Sequence, residues 1–173
     1  LARGVPNRAG DRRAEPTFFY VSTGSWSFYP LLDEFVGLRG FPPGPMFLTD
    51  WGPTERYLRR SGAEHKRTAI RRLFEAYPGM QFVLIGDSGQ RDPLTYEEMA
   101  REFAGRVTLI IIRQVGTDDD DRNAELRTRA TALRDEGIPL HLVPDASVAA
   151  QLAYEAGLCD EATLAEVRAD VDS

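Results

Sequence analysis

The chain has 173 residues, 42% of them apolar, with a net charge of −6, one cysteine and two histidines. That length and apolar content are enough for one sizeable core, so a single domain over residues 1–173 is expected. The acidic balance argues against a dedicated nucleic-acid binder, which draws its phosphate affinity from clustered Lys and Arg; the lone Cys159 and two histidines exclude a disulfide framework and a Cys/His zinc site.

Any metal here must therefore sit on oxygen ligands. No apolar run approaches the roughly 20 residues of a membrane span, and the N-terminus has no apolar segment of the signal-peptide kind, so a soluble, cytoplasmic protein is the default expectation.

Residues 1–16, rich in Arg, Gly and Pro, read as a loop or the tail of an interrupted helix. The run TFFYVS (17–22) reads as a buried strand with Ser22 and Thr23 at its end. Ser25 can cap a helix reaching about Arg39, and its Trp26, Tyr29, Leu32, Phe35 and Val36 recur at helical spacing, which predicts a core-facing stripe. MFLTD (46–50) reads as a short strand, and WGPTERYLRRSGAEH as an irregular excursion. From Lys66 the apolar spacing of Ile70, Leu73, Phe74 and Tyr77 predicts a helix ended by Pro78-Gly79. QFVLIG (81–86) has the continuous apolar character of a strand buried on both faces. A helix from Pro93 to about Phe103, a strand at 107–113, a helix from about Arg122 to Glu136, a strand at 139–143 and helical segments after Ser147 complete the pattern. Strand and helix alternate throughout, which predicts an α/β fold with one mainly parallel sheet.

In open α/β sheets ligands bind beyond the carboxyl ends of the strands, where Gly86-Asp87 falls. Asp87 projects a hard oxygen ligand suited to Mg²⁺, and Asp92 follows within one loop as a second. The backbone N–H groups of Ser88 and Gly89 are candidates to face an anion. The competing reading is structural: Asp87 makes an Asx-turn and Asp92 caps the helix that starts at Pro93. Lys66, placed at the opening of its helix, can neutralise phosphoryl charge, and Ser22 and Thr23 can hold phosphate oxygens. For these the plainer readings are a solvated lysine and ordinary turn residues.

Taken together, FFYVSTGSW, the HK of GAEHKRTAIRRLFEAYP, and FVLIGDSGQRDP with the following Tyr96 resemble the catalytic domain of the actin-patch-type phosphatidate phosphatases. This family is a lipin-related branch of the haloacid dehalogenase superfamily. The resemblance runs from about Thr17 to Arg113. It implies a three-layer haloacid-dehalogenase-like (Rossmannoid) fold and Mg²⁺-dependent conversion of phosphatidate to diacylglycerol and phosphate. It also implies catalytic roles for Ser22, Lys66 and Asp87, phosphate binding by Ser22, Thr23 and Lys66, and metal binding by Asp87 and Asp92.

The family's nucleophile lies in an Asp-x-Asp-x-Thr motif after an apolar strand, and none of Asp11, Asp50 or Asp118 to Asp121 fits it. The start at Leu1 suggests that this segment lies upstream, and the chain alone is expected to be inactive. The expected partner is a phosphorylated small molecule or phospholipid. Trp26, Phe28, Trp51 and Tyr57, with Arg56, Arg59 and Arg60, offer peripheral membrane contact. The alternative is a non-catalytic binding module on the same fold, since fold alone does not decide function.

Overall fold

Strand and helix alternate from Tyr20 onward in the computed structural model, which describes residues 16–50, 55–116 and 121–171, without the side chains of 55–61. The chain divides into two compact units, Thr17–Pro78 and a second containing Gly79–Ser173. Each is built from parallel strands and flanking helices, the α/β class expected and consistent with a three-layer Rossmann-like fold.

In the first unit β1 (Tyr20–Ser25) pairs in parallel with β2 (Met46–Thr49). Between them run a 3-10 turn at Trp26–Phe28 and helix α1 (Tyr29–Leu38). After β2 comes α2 (Glu55–Ala76), which packs on β1. Its buried residues Gly62, Lys66, Ala69, Ile70, Leu73 and Phe74 recur at three- and four-residue steps, so they form one stripe. The ring of Phe19 meets those of Phe47 and Tyr77, 6.4 and 5.6 Å away between centroids.

The second unit is a three-stranded parallel sheet in the order β3-β4-β5, formed by Phe82–Asp87, Val107–Arg113 and Leu140–Val143. Helix α3 (Asp92–Glu102) links β3 to β4, and α4 (Asp121–Asp135) links β4 to β5. Then α5 (Ala146–Glu155) and α6 (Glu161–Val171) pack together after β5. On one face of this sheet Leu109, Ile111 and Val143 form a core against Val83, Ala149, Leu152 and Leu158. Side chains alternate along a strand; the alternate positions Ile110, Ile112 and Leu140 are likewise fully buried. Glu97 of α3 is buried with its carboxylate held by Arg129 of α4, at 2.6 and 3.0 Å, and by Arg101. Two charge-assisted bonds from Arg129 tie the helices together.

Several expectations are revised. The strands form two hydrogen-bonded ladders, where one sheet was expected; alternation of elements shows that strands exist but not which of them pair. The strand buried on both faces is β4; Ile85 of β3 is exposed, and among the described residues no strand pairs with the second edge of β3. The stretch expected to be irregular is helical from Glu55. Strong helix formers flank Gly62, whose cost of about 1 kcal/mol in a helix is offset by its close packing on Thr23. Neither the 3-10 turn nor α1 contains a buried residue, so of the expected core stripe Trp26, Tyr29 and Phe35 are exposed and Leu32 and Val36 only half-buried. Trp51 lies outside the described residues, as do Leu1 to Glu15 and the acidic run before Asp121.

Candidate functional site

β3 ends at Asp87, and the chain turns through Ser88 to Arg91 into α3. Asp87 shapes that turn itself: its Oδ1 accepts from the backbone N–H groups of Gly89 and Gln90, at 2.9 and 3.0 Å. This is the Asx-turn of the structural reading. The second half of that reading fails, because α3 begins at Asp92 and its N-cap is Arg91, which makes no side-chain capping bond.

Asp92 is instead the first residue of the helix, 4% exposed, with Oδ2 turned back toward the strand and 3.5 Å from the N–H of Asp87. What permits this approach is Gly86. A β-carbon there would fall 2.8 Å from Cβ of Asp92 and 2.9 Å from Cε2 of Tyr96, so only glycine leaves room. One turn along α3, Tyr96 donates its hydroxyl to the Ile85 carbonyl at 3.0 Å. Burial holds its phenol far above the ordinary range, and the negative charges of Asp92 and then Asp87 push in the same direction. Two carboxylates are thus gathered at one strand end with a neutral phenol beside them.

Asp87 and Asp92 are hard oxygen donors, the chemistry that suits Mg²⁺. Among the described residues no group of three His, Cys, Asp or Glu side chains gathers to hold a metal. The anion-facing role expected of the Ser88 and Gly89 amides is not found. Ser88 N–H donates to the Arg113 carbonyl at 2.9 Å and Gly89 N–H to Asp87. The buried Ser88 hydroxyl accepts from Val115 N–H at 2.9 Å, fastening the loop to the chain beyond β4.

In the other unit, Ser22 and Thr23 lie inside β1 rather than at its end, where the β1–β2 register shifts between Val21 and Ser25. Ser22 Oγ accepts from Gly24 N–H at 3.1 Å, which leaves its own hydrogen for a ligand. Thr49 of β2 donates to the carbonyls of Thr23 and Gly24, at 3.1 and 3.2 Å, and so holds this irregular stretch. Lys66 sits in mid-helix on α2 rather than at its opening, one turn from Gly62, whose backbone packs on the Thr23 methyl. It is 8% exposed, which excludes the reading of a solvated lysine. A lysine is rarely buried unless an anionic or polar group is met there. The neighbouring His65 ring lies 3.3 Å from the Phe47 carbonyl.

Two residues carry a packing role that the sequence alone did not assign. Tyr96, already part of the motif that carries the resemblance, stands four residues after Asp92 on one helix face, which is the signal for its place beside that carboxylate. Gly62 carries no signal in the sequence, because its reason is the proximity of Thr23.

Residues 6–114 match the family model described as "Phosphatidate phosphatase APP1, catalytic domain". The phosphatidate phosphatase APP1 of Saccharomyces cerevisiae is 34% identical over 101 residues, 58% of this chain and 17% of that protein. An uncharacterized protein of Schizosaccharomyces pombe is 29% identical over 103 residues, 59% of this chain and 17% of that protein. The chain thus spans about a sixth of the length of these relatives. No solved structure matches.

Proposed function

Since the chain belongs to the family of phosphatidate phosphatase APP1 catalytic domains, we propose that it works in Mg²⁺-dependent hydrolysis of phosphatidate to diacylglycerol and phosphate. The observation that carries this reading is the pairing of Asp87 and Asp92 over Gly86 at the end of β3. These two carboxylates would hold the cation, which when bound offsets negative charge on a phosphoryl oxygen. Ser22 and Thr23 donate hydroxyl hydrogen bonds to phosphate, and Lys66 adds positive charge. We read the fold as of the haloacid dehalogenase type, acting from the cytoplasm on a lipid presented at a membrane surface. Among the described residues no helix is long and apolar enough to cross a membrane.

Hydrolysis breaks the phosphoryl–oxygen ester bond and consumes one water, and in this reading a carboxylate attacks phosphorus first. The 173 residues contain no Asp-x-Asp-x-Thr sequence to supply that carboxylate and its proton donor. Turnover is therefore expected only when such a segment accompanies the chain. The test is phosphate release from phosphatidate in detergent micelles with Mg²⁺, for the chain alone and for a form extended by fusion to a strand carrying Asp-x-Asp-x-Thr. The expected result is background release by the first and turnover by the second, abolished by Asp87→Asn and unchanged by Asp121→Asn. Turnover by the extended form that survives Asp87→Asn would sink the assignment.

A further inference from the structure

Phe28, Leu31, Phe35 and Leu38 follow one another at steps of three, four and three residues, the spacing of an apolar helix-pairing seam. In a soluble protein such a stripe normally faces the core. Here the four are 54, 62, 48 and 78% exposed, and no residue of the 3-10 turn or of α1 is buried. Leu32 and Val36, the half-buried residues of α1, run along one side of this seam, so the packing of its own unit reaches the edge of the seam and leaves these four exposed.

The seam is extended by Phe41, 51% exposed, whose ring lies 6.3 Å from that of Phe35. A large side chain offers ~150–250 Å², so these five leave roughly 550 Å² of apolar surface in water. That is in the upper part of the ~300–600 Å² usual for the largest patch on a soluble monomer. It is about two thirds of the ~800 Å² that each partner contributes to a standard specific interface.

Charge selects the occupant. Glu34 borders the seam on one side and Arg39 on the other, where its guanidinium lies over the Phe35 ring, 5.7 Å from the centroid. In two parallel helices sharing this seam, the residue before Phe35 on one faces the residue after Leu38 on the other, five positions on. Glu34 would then meet Arg39 of the second helix twice in a two-fold pair. An anionic lipid surface fits less well, because Asp33 and Glu34 also border this helix.

We propose that α1 pairs in parallel with α1 of a second copy of this chain, burying Phe28, Leu31, Phe35 and Leu38, with Glu34 opposite Arg39. The interface is independent of the phosphatase reading. The test is sedimentation equilibrium of the chain at tens of micromolar. The mass is expected to approach twice 19.3 kDa. Phe35→Asp combined with Leu38→Asp should leave a folded monomer with unchanged circular dichroism, since both positions are exposed in the single chain, and its melting temperature should no longer depend on protein concentration. Glu34→Arg alone and Arg39→Glu alone should each weaken the dimer several-fold, and the two together should restore it. A wild-type chain that stays monomeric, or a dimer indifferent to the paired Asp substitutions, overturns the proposal. A charge swap that fails to restore association overturns the parallel arrangement. Monomeric chain that binds phosphatidylcholine vesicles through the same residues overturns it in favour of a lipid surface.

Discussion

Gly86 and Asp92 stand so close that a β-carbon on Gly86 would lie 2.6 Å from Oδ2 of Asp92. The strand end and the first turn of α3 are thereby set against each other, and the buried Asp92 carboxylate is held beside Asp87.

This contact predicts the response to Gly86→Ala. Neither the Asp92 backbone nor the Tyr96 ring, which is bonded to Ile85, can retreat easily. Such overpacking costs about 1–3 kcal/mol, or roughly 2–4 °C of melting temperature per kcal/mol in a chain of this size. Gly79→Ala, where nothing lies within 4 Å, is the control and should change stability by less than about 0.5 kcal/mol. Thermal melts showing equal losses would refute the contact.

Gly62 makes the corresponding approach in the other unit, where an added β-carbon would sit 2.8 Å from the Thr23 methyl. Alanine should improve helix propensity by about 1 kcal/mol, but the clash removes that gain. In a Thr23→Ser background the methyl is absent, so Gly62→Ala should then be stabilising. A double-mutant cycle with no coupling between the two positions would count against this packing.

Metal binding by the chain alone should be weak. Mg²⁺ gives up its waters reluctantly, and two carboxylates are few ligands to replace them. Calorimetry is expected to show heat only at millimolar Mg²⁺, lost in Asp87→Asn. Tight stoichiometric binding would mean that further ligands converge at this site.

His141 gives a pH dependence. Burial lowers its pKa from the ordinary histidine value, Arg134 lowers it further, and Glu155 opposes them. The folded state therefore holds the His141 proton less tightly than the unfolded state, whose value is about 6.5. Stability should fall as pH drops below about 7, with the loss complete beneath the depressed folded value. Urea unfolding across this range should show a shallower slope for His141→Gln. An unchanged slope would remove the assignment.

The sequence by itself determined the α/β class, the strands near 82–87 and 107–113, and the family, because these rest on local patterns: continuous apolar runs, helix punctuation and the GDSGQ-D signature. Asp87, Asp92 and Lys66 were legible as candidates for the same reason. Tertiary structure decided what depends on residues distant in the chain. It set which strands pair, and it made a helix through Gly62 because Thr23 needed the space. It occupied the Ser88 and Gly89 amides with the Arg113 carbonyl and the Asp87 carboxylate. It also left the apolar stripe of α1 in water. Periodicity records that a helix has an apolar face, but burial is a property of what comes to lie against that face, and a linear pattern does not contain it.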